Sequence, residues 1–243
     1  MKKTSLILIM LSLFAINSYA QKKAAVVSFY GDKIIGFSDL GIGSERLLTD
    51  ILDLRDNPDF DLAPIMEEFH TAFFNDFAPK FPFELLPEET VTSNQAYIDF
   101  EPKYQLSDYD AKNYIVYDGY KSIYEGILGK HNEEGTAAIF KDQADGVMFV
   151  EIHFNLEKGF GIGGITSLKM KAYARIAMYD KAGKKVFVIN EGANSKKTGV
   201  MVKGLPVLSP DKILPMCESA LEQLLKDLNK RLPKIIKKAA KKL

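Results

Sequence analysis

A single cysteine and three histidines leave this sequence poor in the side chains that most often hold metals or disulfides. With only Cys217, no intramolecular disulfide can form, so the fold must rest on burial. Cys217 falls on the apolar stripe Leu214, Cys217, Leu221, Leu224, Leu228 and reads as a small buried hydrophobe. His70, His131 and His153 stand at no metal-ligand spacing with one another or with cysteine. No Gly-x-Ser-x-Gly elbow occurs. Asp108-x-Asp110 lacks the glycine and distal glutamate of a calcium loop. No metal, no cofactor and no catalytic residue is therefore expected. After residue 20, no apolar run reaches the roughly 20 residues that a membrane-spanning helix needs.

The start of the chain carries the firmest signal. Met1-Lys2-Lys3-Thr4 is a short basic region, Ser5 to Ile16 is almost wholly apolar, and Ser18 and Ala20 are small. This order predicts a cleavable secretory signal peptide over residues 1–20, of bacterial type, with a mature chain from Gln21. No cysteine lies near the cleavage point, so the expected product is exported to the periplasm or associated with the outer membrane, and is not a lipoprotein. The 223 residues that follow hold 30 basic and 32 acidic side chains. Residues 230–243 take seven of the basic ones and no acid, leaving a body of 23 against 32. An acidic body with a basic tail is a real polarity, and nucleic acid is not an expected partner.

Period-two and helical patterns give the order β-α-β-α-α-β-β-β-α. Strands are expected at 24–30, 83–86, 146–156, 167–179 and 184–190. Helices are expected at 44–54, from Asp61 to about residue 78, at 88–97, at 133–143, and from Ser209 onward. Pro79 and Pro82 stop the second helix, and Pro233 is expected to break or kink the last, or to start a new one. The fold class is thus α/β (α+β): a single mixed open sheet of about five strands with helices packed on it. The signal peptide precedes one domain over 21–229, whose 98–130 insertion is irregular and rich in tyrosine, and a basic amphipathic tail over 230–243.

Three segments resemble the small α/β domain of the TolB N-terminal part, of penicillin-binding-protein activators and of curli-secretion lipoproteins. They are Ala25-Val26-Val27-Ser28-Phe29, the pair 83–87 and 144–151, and the hairpin 174–187. The resemblance implies a binding or assembly role in the cell envelope. Many members are lipoproteins, and this chain has no lipidation cysteine.

Alternation along the sheet places Glu151, His153 and Asn155, with Lys169, Lys171, Tyr173, Arg175 and Tyr179, on one polar face. Glu151, His153, Lys171, Tyr173 and Arg175 are the candidate partner contacts. Phe160 and Ile162 join them on the glycine-rich stretch Gly159–Gly164, which matches G-x-G-x-x-G without the following helix that a dinucleotide site needs. Seven of eleven tyrosines fall between Tyr97 and Tyr124, either as a glycan or peptide patch or as packing for an irregular segment. Lys234, Lys237, Lys238 and Lys241 form the polar side of the tail and are candidates for an anionic membrane surface. The expected function is a non-enzymatic envelope binding or assembly protein, partnered by an envelope protein or glycan. The alternatives are an envelope hydrolase with an undetected carboxylate pair, or an oligomeric secretion or pore subunit. Nothing in the sequence sets an oligomeric state.

Overall fold

The computed structural model describes residues 22–40, 54, 57–104, 112–126 and 130–239. The expected signal peptide, and the expected helix at 44–54 apart from Leu54, lie outside the described residues. Seven strands form one mixed sheet: β1 Lys23–Asp32, β2 Glu84–Leu85, β3 Tyr114–Val116, β4 Gly146–Ile162, β5 Ile165–Asp180, β6 Lys185–Val202 and β7 Leu205–Val207. The spatial order is β2-β1-β4-β5-β6-β7, with β3 pairing β1. β1 runs parallel to β2 and β4, and β4 to β7 form an antiparallel meander. The class is the expected α/β, with two more strands than expected.

The helices are α1 Ala63–Ala72, α2 Glu88–Thr92, α3 Gln95–Ile98, α4 His131–Phe140 and α5 Pro210–Ala239. α1 opens where the sequence says, with Pro64 in its first turn and the Asp61 carboxylate accepting the Ala63 N–H at 2.9 Å. It continues as a π turn over Phe73–Phe77 and a 3-10 turn over Ala78–Lys80. The single helix expected at 88–97 is two helices, because Ser93 and Asn94 end the first and the Asn94 side chain caps the second.

One face of the sheet carries the main core. Met148, Val150, Ile152, Phe154 and Leu156 of β4 meet Leu168, Met170, Ala172, Ala174 and Ile176 of β5 beneath α1 and α5. Ala172 and Ala174 are fully buried and let α5 approach closely. α5 contributes Ile213, Met216, Cys217, Ala220, Leu221, Leu224, Leu228 and Leu232. Pro233 does not break this helix, which runs through it to Ala239.

The opposite face is not uniformly polar. Near the start of β4, Val147 and Phe149 with Ala177 and Tyr179 of β5 form a second core with Val91, Tyr97, Ala137 and Phe140. Tyr179, expected on the polar face, is buried there. The sheet is therefore three layers thick at one end. Further along β4 and β5, the same face opens to solvent.

The strand expected at 184–190 is 18 residues long and continues through the polar residues that follow Asn190. The reason is an inward row of small residues. Ala193 and Ser195 are buried against the helix side, while Asn194, Lys196, Lys197 and Thr198 face water. No apolar alternation marks such a strand.

Candidate functional site

The open face starts where the second core ends. Cross-strand pairing sets its rows: Glu151 opposite Arg175, His153 opposite Tyr173, Asn155 opposite Lys171, Glu157 opposite Lys169. β6 extends them with Asn190 beside Arg175, Gly192 beside Tyr173 and Asn194 beside Lys171. Five of the seven sequence candidates on this sheet, Glu151, His153, Lys171, Tyr173 and Arg175, thus share one face within three successive rows, each half-buried.

Three of them, Glu151, His153 and Arg175, belong to one connected polar network. Tyr30 donates to Glu151 Oε2 at 2.5 Å. His153 Nδ1 lies 2.7 Å from Asp32 Oδ2, and its Nε2 lies 3.6 Å from Glu151 Oε2. Arg175 Nε lies 3.5 Å from Glu151 Oε1 and donates to Glu125 Oε1 at 2.5 Å. Its Nη1 donates to Asn190 at 3.1 Å. The Glu125 carboxylate also accepts from the Tyr179 hydroxyl. Sheet pairing explains Glu151, Arg175 and Asn190. Asp32 arrives on β1, and Glu125 on the segment that follows β3. Tyr30, Asp32 and Glu125 are network members that no local pattern points to, because long-range pairing alone brings them in.

Charge and burial act against each other here. Burial alone would lower the His153 imidazolium, but hydrogen bonds to Asp32 and Glu151, and their charges, outweigh it and hold the group up at about 10. For Glu151, burial pushes upward, yet His153, Tyr30 and Arg175 together keep the carboxyl below its ordinary value. For Glu125 burial wins, and its carboxyl is raised despite Arg175. The face therefore presents a protonated imidazole at neutral pH, with both ring nitrogens engaged. Tyr173 lies over His153 with ring centroids 6.3 Å apart. Lys171 reaches Glu157 at 2.7 Å.

No group of three or more His, Cys, Asp or Glu side chains among the described residues is placed to hold a metal ion. The other candidates are distributed as follows. Phe160 and Ile162 lie at the far end of β4, 78% and 72% exposed. Gly159–Ile162 is strand rather than loop, and the turn falls on Gly163 and Gly164, both at positive φ. The tyrosines of the insertion mostly pack inward. Tyr97 is buried with its hydroxyl on the Val27 carbonyl at 2.8 Å, and Tyr120 is buried on Glu88. Tyr117 stacks on His70 at 3.6 Å, and Tyr114 bonds Tyr124 at 2.6 Å. Tyr104 is exposed, and Tyr109 lies outside the described residues. Lys234, Lys237 and Lys238 sit on α5, where Lys237 is exposed; Lys241 lies outside the described residues. The apolar side of that stretch is engaged, since Leu232 is buried and Ile236 packs against the core. No described helix is long and apolar enough to cross a membrane.

No protein-family model matches the chain, and no curated protein matches it either.

Proposed function

We propose that this chain is an exported, non-enzymatic binding or assembly protein of the bacterial cell envelope, working through the open face of β4–β6. The observation that supports this reading is the row Glu151, His153, Lys171, Tyr173 and Arg175. These side chains are half exposed, yet Glu151, His153 and Arg175 are braced by mutual ion pairs, Lys171 is paired with Glu157, and the Tyr173 ring lies against His153. Such bracing lowers the entropy lost when a partner docks. A ring with a polar tip, Tyr173, beside fixed charges suits an envelope protein or a glycan. The likeness to TolB-type and curli-secretion domains points the same way. The residues proposed as a signal peptide supply the route to the envelope. The hydrolase reading has less behind it. The Glu125 carboxylate is taken by Arg175 and Tyr179, and that of Glu151 by Tyr30, His153 and Arg175.

A photo-crosslinking residue placed at Tyr173 in the native host tests the proposal. It should give a discrete adduct with an envelope component, and one at Lys226, on the far side of the sheet, should not. Lys171→Ala should weaken the adduct. Equal labelling from both positions, or none from Tyr173, would remove the open face as the binding surface.

A further inference from the structure

At its far end the open face changes character again. Register places Ile162 opposite Ile165, Ile165 opposite Val202, and Val202 opposite Leu205. One step back, Val200 lies opposite both Ser167 and Val207. A register shift between Lys158 and Gly161 turns Phe160 onto this same face. Four strands thus present Phe160, Ile162, Ile165, Val200, Val202, Leu205 and Val207 side by side, and all seven are exposed. Scattered exposed aliphatics are ordinary, but a contiguous patch of this kind marks a contact surface.

The surrounding charge says what covers it. No Asp or Glu occurs from Lys158 to Tyr179, or from Gly192 to Ser209. On this face Lys169 stands in the next row, and Lys203 sits in the turn between β6 and β7 at the patch edge. The nearest acid, Glu157, is engaged by Lys171. Such a rim repels a second copy of this chain. The outer strand β7 is three residues long and contains Pro206, which blunts strand addition. The two apolar rows span about 7 Å, at the usual rise per strand residue. That matches the depth of roughly 5–10 Å to which interfacial segments bury apolar side chains in a bilayer. Lys169 would then stand at the level of the lipid phosphates.

We infer that the end of the sheet, from Phe160 to Ile165 with Val200 to Val207, docks on an anionic lipid bilayer by inserting these side chains between headgroups. The surface and occupant differ from those of the proposed partner site, so failure of the Tyr173 crosslink leaves this inference standing, and the reverse.

The sequence contains no tryptophan, so Phe160→Trp in the full chain gives a single local reporter. With vesicles of equimolar phosphatidylglycerol and phosphatidylcholine, its emission should move to the blue and be quenched by bromine-labelled lipid. Lys226→Trp, on α5, should show neither change. Pure phosphatidylcholine, or Ile162→Ser with Leu205→Ser, should weaken the partitioning seen at Phe160→Trp roughly tenfold. Any of three results would overturn the inference. One is water-like emission of Phe160→Trp on vesicles that carry the protein down. Another is an equal shift at Lys226→Trp. The last is a blue shift without lipid that grows with protein concentration, which would mean that a second copy covers the patch.

Discussion

Arg175 and Glu151 are the two hubs of the open face. The Arg175 guanidinium touches Glu125, Glu151 and Asn190 at once. The Glu125 side chain is 5% exposed and that of Arg175 22%, so removing the cation strands a carboxylate away from water. Arg175→Ala should therefore cost about 3 kcal/mol of stability in urea unfolding. Adding Glu125→Gln should recover part of that loss, because the stranded charge is gone. A fully additive double variant would show that the two groups are not coupled. His153 gives a pH signature. Its folded value near 10 lies above the ordinary 6.5, so its stabilisation is complete below about pH 6.5 and fades as pH rises through 10. One proton corresponds to a slope of at most about 1.4 kcal/mol per pH unit. Wild type should lose stability between pH 6.5 and pH 10 more steeply than His153→Asn. Parallel profiles would show that His153 is not held by Asp32 and Glu151 as described.

At the scale of elements, the long third strand of the meander, β6, depends on polar supports that pattern reading does not see. Ser195 is buried; its hydroxyl accepts the Met170 N–H at 3.0 Å and donates to the Lys197 carbonyl at 2.6 Å. Nearby, the Lys196 N–H finds Ser219 of α5 at 3.0 Å. These bonds bridge the place where the β5–β6 register shifts. Ser195→Ala should cost about 1–2 kcal/mol in thermal or urea unfolding, since the Met170 N–H loses its acceptor in a buried position. A neutral effect would mean that water replaces the hydroxyl there. The same element shows what the sequence could and could not tell. Strong alternation in β4 and β5 made their core faces legible, from Met148 to Phe154 and from Leu168 to Ile176. In β6, an inward row containing Ala193 and Ser195 looks like a polar loop. β3 is three residues long and pairs β1 across a sequence gap, so no local pattern announces it. The site divides the same way. Glu151, His153, Lys171, Tyr173 and Arg175 were legible because period two fixes a face, whereas Asp32 and Glu125 come from elements whose placement only tertiary pairing decides.

On the scale of the whole molecule, one continuous sheet face passes through three environments. It is buried beneath α4 at Val147 and Phe149, charged from Glu151 to Glu157, and apolar but exposed at Ile162. The thickness of the protein changes along the same line. At Val147–Ile152 the β4 backbone pairs β1 on one edge and β5 on the other, with side-chain cores above and below. At Gly159–Ile165 the hairpin is flanked by exposed positions, and its turn residues Gly163 and Gly164 have no side chains to pack. Local opening costs least where few buried contacts must be broken. Amide exchange should therefore be slowest for Val147–Ile152 and for Ala174–Met178, and much faster for Gly159–Ile165 and Val202–Leu205. Anionic vesicles should slow the fast group and leave the slow one unchanged, because lipid covers the end of the sheet and not its base. Uniform protection along β4 would mean that the hairpin end is as firmly held as the three-layered base, and the end could not then be the part that adapts to a surface.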